Sequence, residues 1–291
     1  QSYTTSLNSS VLHYQYEHGR RYHAYREGVY SFPNDEREQD RLDMLSHIVR
    51  LACNSKLHQK EFPKDKPPRR ILDVGTGTGL WAIEAGEVYP NAEVIGNDLS
   101  PIQPGWVPPN VVFEVDDVES DWPDRPPFDF IHVRYMCASI KDWPALVRRC
   151  YENTAPGGWV EFQDWARIYS QDNVASSDSS IVKMYDLLTE ACDEKLGRML
   201  WPGPKLKGWI EDAKFVNVTH KVVKIPLGTW PKAKTLKQIG ALNLVQFLEG
   251  CEAYILAPFT RYLGWSAEEC QLLLAKVRKE AKDKSLHFVS D

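Results

Sequence analysis

The chain has 291 residues, of which 43% are hydrophobic and 26% charged, and this balance is typical of a globular protein without extended disorder. Its net charge of -5 argues against a broad phosphate-binding surface, so we expect no nucleic-acid partner. No apolar run reaches the length of a membrane span and no apolar leader is present, so we expect no membrane association and an intracellular location, cytoplasmic or nuclear.

The first 60 residues are expected to form a helical cap, because they are rich in Tyr, His and Arg before any strand of the sheet is predicted. Asp35 and Glu38 have the spacing of a capping box, and apolar residues recur at helical spacing over residues 42–52. Residues 60–70 are rich in Pro and Lys, which predicts a solvated connector into the first strand.

Residues 70–100 carry the pattern on which the rest of the interpretation depends. An apolar run predicts a buried parallel strand, three glycines follow, and an amphipathic helix and a second strand complete a βαβ unit. The glycines, Gly75, Gly77 and Gly79, let the backbone approach a ligand, and the start of the helix presents unpaired N–H groups. Asp98, at the tip of the second strand, can accept hydrogen bonds from both hydroxyls of a ribose. The sequence therefore predicts a site for a nucleoside-bearing cofactor.

The glycine spacing distinguishes between classes of cofactor. A dinucleotide fingerprint counted from Gly75 requires its third glycine at position 80, which is Leu80. The pattern that begins at Asp73 is D-x-G-x-G-x-G, and it resembles motif I of the class I S-adenosylmethionine (SAM) methyltransferases. This resemblance implies SAM as the cofactor, S-adenosylhomocysteine (SAH) as the product, and Asp73 near the amino group of the ligand. The alternative is a tight turn in another kind of α/β protein.

Acidic residues follow a predicted third strand at 111–115. In the methyltransferase pattern one carboxylate at this place accepts a hydrogen bond from the adenine amino group, and the next backbone N–H reaches a ring nitrogen. Asp117 followed by Val118 fits this register best, and Asp116 is the competing choice. Leu99, at the end of the second strand, is assigned to the same ligand. The alternative is that the acidic residues form a solvated loop.

The run FDFIHVR, residues 128–134, predicts a central fourth strand whose carboxyl end faces the ligand crevice of a doubly wound sheet. His132, Arg134 and Tyr135 are therefore site candidates, although alternation turns only some of these side chains toward the cleft. A lone histidine in a strand is more often satisfied packing than a base. A helix and a Pro-Gly-Gly turn then lead to a fifth strand at 160–162, a step that is another hallmark of the methyltransferases.

The second half of the chain departs from the plain fold. A sixth strand is predicted at 215–225 and a short seventh strand at 287–289, with residues 228–284 inserted between them. Two helical patterns in the insertion, at 236–250 and 267–282, predict a lid that supplies substrate contacts. The alternative is a helical pair that thickens the domain or meets a partner.

The predicted fold class is α/β, a Rossmann-like class I methyltransferase fold with a seven-stranded, mostly parallel sheet flanked by helices. We expect one domain over residues 1–291. Its parts are the N-terminal helical cap (1–60), the SAM-binding core (70–165) and the C-terminal half (166–291), which contains the helical lid insertion (about 228–284).

Several longer stretches narrow the resemblance to one group. GRRYHAYREGVYSFPNDEREQDRLD, ILDVGTGTGLWAIE, GNDLSPIQPGWVPPN, VDDVESDW and PGGWVEFQD resemble the fungal LaeA-like (TAM-domain) methyltransferases, and the resemblance covers nearly the whole chain. It implies methyl transfer from SAM to a small acceptor of the secondary-metabolite kind. The alternative that it implies is a regulatory SAM-binding protein that acts through protein partners such as velvet-domain proteins.

The GRRYH run could bring Arg21 and Tyr22 over the edge of the cofactor, where the methionine carboxylate of SAM needs a cationic or N–H partner. Arg134 is also assigned to the cofactor. The alternative is that the arginines of the run lie on the surface above a layer of packed aromatic rings.

Methyl transfer from a sulfonium is an in-line displacement, so much of the catalysis can come from holding the two reactants at attack distance. A general base helps where the nucleophile carries a proton, and His23, His132 and Asp164 are the candidates. No metal is expected, since methyl transfer needs no Lewis acid and the six cysteines stand at irregular spacing without a C-x-x-C pair.

Overall fold

The computed structural model describes residues 14–23, 31–172, 175 and 178–291 of the chain. At the N-terminal end an antiparallel hairpin of β1 (Gln15–Glu17) and β2 (Arg20–Tyr22) precedes helix α1 (Glu36–Ala52). The predicted start of the helix is confirmed, because the Asp35 carboxylate accepts a hydrogen bond from the Glu38 N–H at 3.0 Å. Of the described residues of the cap, those at 14–23 form the hairpin and those at 36–52 form the helix, and residues 1–13 and 24–30 lie outside the described part of the chain.

A parallel sheet of five strands forms the centre of the fold. Its strands and the two helices between them are β3 (Arg70–Val74), α2 (Leu80–Val88), β4 (Glu93–Asp98), β5 (Val111–Val115), β6 (Phe128–Arg134), α3 (Trp143–Glu152) and β7 (Thr154–Gln163). The strand order is β5-β4-β3-β6-β7, so the order reverses between β3 and β6. In such a sheet the carboxyl ends of the strands border the ligand crevice at the point of reversal. The prediction of a doubly wound parallel core is confirmed.

The prediction of seven strands in one sheet is wrong for the described residues. The remaining elements are β8 (Ile168–Ser170), α4 (Ser180–Thr189), α5 (Gly203–Asp212), β9 (Ile225–Pro226), α6 (Lys234–Pro258), α7 (Ala267–Ala281) and β10 (Phe288–Ser290). The three short strands pair antiparallel in a separate sheet of order β8-β10-β9. Val216 and Val222 are 81% and 54% exposed, so the predicted sixth strand buries too little apolar surface to extend the parallel sheet.

The insertion before the last strand contains the two predicted helices, and the longer of them, α6, packs on α1. Helices α4 and α6 each continue into a π-helical turn, at Glu190–Leu196 and Phe259–Leu263. None of the described helices combines the length and the apolar content that crossing a bilayer requires.

A buried ion pair of two α1 residues faces α6. The Arg41 guanidinium donates to both carboxylate oxygens of Glu38, at 2.6 and 3.0 Å, and these residues are only 6% and 2% exposed. It also donates from Nη1 to Gln246 Oε1 and to the Tyr254 hydroxyl of α6, both at 3.0 Å. Because each buried polar atom that is left without a partner is costly, this cluster holds the two helices in one relative position.

We expect Glu38→Ala to lower the free energy of unfolding by about 3–5 kcal/mol, because it leaves the Arg41 guanidinium buried without its carboxylate. Arg37→Ala is the matched control. Arg37 pairs with Glu249 and Glu252 across the same two helices, but its side chain is 44% exposed, and its loss should cost less than about 1 kcal/mol. Urea unfolding of the parent and both variants measures the difference. Equal losses would contradict the role given to the buried pair.

Candidate active site

The turn after β3 is the first part of the site. Gly75, Gly77 and Gly79 have φ angles of +66°, +58° and +82°, in the left-handed region that glycine tolerates best. A Cβ on Gly75 would lie 2.1 Å from the Met136 sulfur, and a Cβ on Gly79 would lie 2.4 Å from the Phe113 ring. The positive φ angles favour glycine at both ends of the turn, and at Gly79 the rigid Phe113 ring also leaves no space for a Cβ, whereas the flexible Met136 side chain can move away from Gly75.

A cavity of about 140 Å³, here called the first cavity, lies at the carboxyl ends of β3, β4, β5 and β6. Eight of the predicted cofactor-binding residues line it: Gly75, Gly77, Asp98, Leu99, Asp116, Asp117, Val118 and Arg134. The structure thus brings together residues that are up to 59 positions apart in the chain, because the parallel strands all end at one edge of the sheet.

Asp98, the last residue of β4, connects the glycine turn to the chain after the strand. Its Oδ2 accepts a hydrogen bond from the Gly77 N–H at 2.9 Å, and its Oδ1 accepts one from the Ser100 N–H at 2.9 Å. Each carboxylate oxygen has a second lone pair for a ligand hydroxyl. Burial raises the pKa of Asp98 above its ordinary value, against the opposing effect of the two N–H donors.

Arg134 is the single cation among the described residues that line the first cavity. Its Nη2 donates to the Ser46 hydroxyl of α1 at 2.8 Å, so this contact leaves the guanidinium charge unneutralised. A guanidinium has five N–H donors, and the others can bind an anionic group of a ligand. On the opposite side, burial raises the pKa of Asp116, whose Oδ1 accepts a hydrogen bond from the Asp117 N–H at 2.8 Å.

Asp73 and His132 lie beneath the glycine turn and do not line the first cavity. His132 Nδ1 is 2.7 Å from Asp73 Oδ1, and Asp73 Oδ2 accepts a hydrogen bond from the Thr76 hydroxyl at 2.6 Å. The imidazole ring stacks on the Trp81 ring, with 3.8 Å between ring centroids. These contacts connect β3, β6 and α2 below the turn that Thr76 belongs to.

Arg21, Tyr22 and His23 are absent from the described lining of the first cavity. The Arg21 guanidinium donates to Asn34 Oδ1 at 3.1 Å and to the Asn34 carbonyl at 2.7 Å, and it pairs with Glu36. Asn34 itself lines the first cavity. The sequence interpretation overlooked Asn34, and the only signal that could have indicated it was its position just before the N-cap of α1.

A second cavity, of about 90 Å³, adjoins the first, and this volume is several times what one water molecule requires. The sequence predicted a lid that supplies substrate contacts and did not predict the cavity itself. Its aromatic lining comes from segments far apart in the chain: Phe32, Tyr135, Trp165, Tyr185, Trp201, Phe247 and Tyr254. Its polar lining is Glu38, Arg41, Asn243, Gln246 and Ser290. Leu42 and Tyr135 line both cavities, so the two spaces meet at these side chains.

Tyr135 has three unusual properties for one side chain. Its φ is +57°, a strained value for a residue with a Cβ, and its ring stacks on the Trp165 ring at 5.5 Å. Its buried hydroxyl has no hydrogen-bond partner among the described residues. Backbone strain and unpartnered buried polar groups concentrate at functional sites, where a ligand completes the set of contacts.

Asp164, which follows β7, lies behind the junction of the two cavities and is absent from the described lining of both. Its Oδ2 accepts a hydrogen bond from the Met136 N–H and its Oδ1 accepts one from the Trp165 N–H, both at 2.8 Å. Burial raises the pKa of Asp164 to about 7. The carboxyl group thus holds the backbone next to Tyr135 and Trp165.

The raised pKa of Asp164 predicts a pH dependence of stability. From pH 4 to pH 7 the folded state holds a proton on this carboxyl group that the unfolded state has lost, so stability falls as the pH rises, by at most about 1.4 kcal/mol per pH unit, and levels off above pH 7. Asp164→Asn cannot ionise, and its free energy of unfolding should fall less between about pH 5 and pH 7.5 than that of the parent. Urea unfolding at both pH values measures this, and identical falls would contradict the raised pKa.

Comparison with known proteins gives a consistent assignment. Residues 44–220 match the family model of a methyltransferase domain. Methyltransferase pytC of Aspergillus terreus is 50% identical to this chain, over 99% of the chain and 88% of that protein. The secondary metabolism regulator LAE1 of Cochliobolus heterostrophus is 35% identical, over 93% of this chain and 90% of that protein. The protein-methionine methyltransferase laeA of Emericella nidulans is 34% identical, over 97% of this chain and 75% of that protein.

Solved structures are more distant in sequence. Phosphoethanolamine N-methyltransferase 2 of Haemonchus contortus, in complex with SAM, is 17% identical and aligns with a TM-score of 0.44 over 86% of this chain and 51% of that chain. The family match and the fungal relatives, which extend over nearly the whole chain, show that this protein belongs to the fungal LaeA-like family of SAM-dependent methyltransferases.

Proposed function

We propose that the first cavity holds SAM and releases SAH, and that the adjoining second cavity holds a small acceptor. The observation that carries this proposal is that the two cavities meet at Leu42 and Tyr135. Bound SAM would supply a methyl group on a positively charged sulfur. The protein supplies position, because holding two reactants in line lowers the barrier without any chemical step of its own.

The polar groups of the first cavity match the parts of SAM. Asp98 would accept hydrogen bonds from the ribose hydroxyls, with the apolar side chain of Leu99 beside it. Asp116 or Asp117, with the backbone of Val118, would bind the edge of the adenine ring. We assign the methionine carboxylate to Arg134, whose guanidinium faces a neutral hydroxyl inside the cavity.

We assign supporting roles to the predicted residues outside the two cavities. Asp73 and His132 would hold the glycine turn through Thr76, and Arg21 would hold Asn34 at the cavity wall. Tyr22 is buried beneath the Arg261 guanidinium, which lies 4.5 Å from the centre of its ring. His23 is only 2% exposed and would influence the Asp98 carboxylate electrostatically from outside the cavity lining.

This proposal gives His23, His132 and Asp164 a role other than that of a general base. None of the three is among the described residues that line either cavity, so we propose that they position other groups and do not remove the acceptor proton. An acceptor that loses its proton to water, or has none to lose, needs no base from the protein.

We further propose that the whole chain acts as a single methyltransferase domain, cytoplasmic or nuclear, with α6 and α7 as a lid. The lid role is supported by the wall that Asn243, Gln246, Phe247 and Tyr254 of α6 contribute to the second cavity. The regulatory alternative, with a velvet-type protein partner, is supported by the relatives named as regulators. A scaffold of that kind would have no use for an enclosed aromatic cavity beside the cofactor.

The cofactor assignment predicts the ligand preference of the protein. In calorimetry SAM and SAH should bind and NAD should not. Asp98→Ala should weaken SAH binding at least about tenfold, since it removes charge-assisted hydrogen bonds to the ribose. Tight NAD binding without SAM binding, or an Asp98→Ala protein that binds SAH as the parent does, would overturn the assignment.

Two arginines compete for the methionine carboxylate, and their variants separate them. Arg134→Ala should weaken SAH binding by about tenfold to a hundredfold, with partial recovery in Arg134→Lys. Arg21→Ala should change it less than about threefold, because its guanidinium is bound to Asn34 and Glu36. Larger losses in the Arg21 variant than in the Arg134 variant would reverse the assignment.

The acceptor assignment predicts where a labelled methyl group goes. After incubation of the pure protein with methyl-labelled SAM and a fungal metabolite extract, the label should enter the solvent-extractable small molecules. Heat-inactivated protein is the control. Label that enters only precipitable protein, or no transfer at all, would favour the regulatory alternative.

A further inference from the structure

The two charges in the polar wall of the second cavity neutralise each other. Glu38 and Arg41 are the only charged residues among its described lining, and they bind each other through two hydrogen bonds. Gln246 Nε2 donates to Asn243 Oδ1 at 2.7 Å, and Asn243 Nδ2 donates to the Pro226 carbonyl at 2.9 Å. Among the described lining residues the two charges are therefore paired with each other, and the wall presents no free counter-ion.

This neutrality selects against charged ligands. A carboxylate, phosphate or ammonium group that enters the cavity would lose its hydration and find no opposite charge that is not already paired. Burial of an unpaired ion is so costly that such a group would neutralise or stay outside. An anionic ligand that displaced Glu38 from Arg41 would gain no net stability, because it would leave the Glu38 carboxylate buried without its partner.

The aromatic lining selects for a flat ligand. Tyr135 stacks on Trp165 on one side, and Tyr185 packs against Trp201 on another, with 5.4 Å between the ring centroids. Rigid rings of this kind present large apolar faces, and a planar ring system buries the most area against them. Helices α4 and α6 each contribute to this lining, so the apolar surface surrounds the ligand on several sides.

We propose that the second cavity binds a neutral, flat, largely apolar acceptor. This inference rests on the proposed function and names the substrate class of that site.

Three naphthalene probes of the same shape test the charge requirement. With saturating SAH near pH 7, the affinity of neutral 2-naphthol should exceed that of anionic 2-naphthoate and of cationic 2-naphthylmethylammonium by at least about tenfold, as measured by probe fluorescence. Equal or tighter binding of either charged probe would overturn the proposal. An SAH titration precedes each measurement. Absence of SAH binding would count against the proposed function, whereas SAH binding without this preference would count only against the acceptor class.

Discussion

The buried pair of Glu38 and Arg41 is the interaction on which the arrangement of the site depends. An ion pair this far from water is stable only when further hydrogen bonds complete it, and Gln246 and Tyr254 of α6 provide them. The position of α6 relative to α1 is therefore determined by polar contacts as well as by apolar packing. Since α1 contributes Leu42 to both cavities, the same contacts set the distance between the two spaces.

The residues of the methyltransferase motif divide into those that face the first cavity and those that support them. Asp98 and Arg134 face it directly, whereas Asp73 acts through Thr76 from below the glycine turn. Arg21 acts in a similar way through Asn34. For the strand residues the division follows from position along the strands, because Asp73 lies beside Gly96 and His132 in the sheet, and Asp98 and Arg134 come two residues later, on the same face and nearer the crevice.

The second cavity exists because the chain after β7 does not continue the parallel sheet. It forms helices and a small antiparallel sheet instead, and these provide Tyr185, Trp201 and Phe247 to a space beside the carboxyl ends of the central strands. The strained backbone at Tyr135 turns this side chain to the boundary of the two spaces. The matches to the fungal relatives extend over nearly the whole chain, although one relative is named a methyltransferase and another a regulator.

The sequence by itself determined the family, the cofactor class, the doubly wound core and eight of the residues that line the first cavity. These features depend on local patterns, such as the glycine spacing after β3 and the carboxylate of Asp98 at a strand tip. Only the tertiary structure decided that His132 is buried against Trp81, that Arg21 binds Asn34 outside the cavity lining, and that a second cavity with an aromatic lining adjoins the first. These outcomes depend on which side chains come into contact in the folded chain, and no local spacing in a single sequence records such contacts.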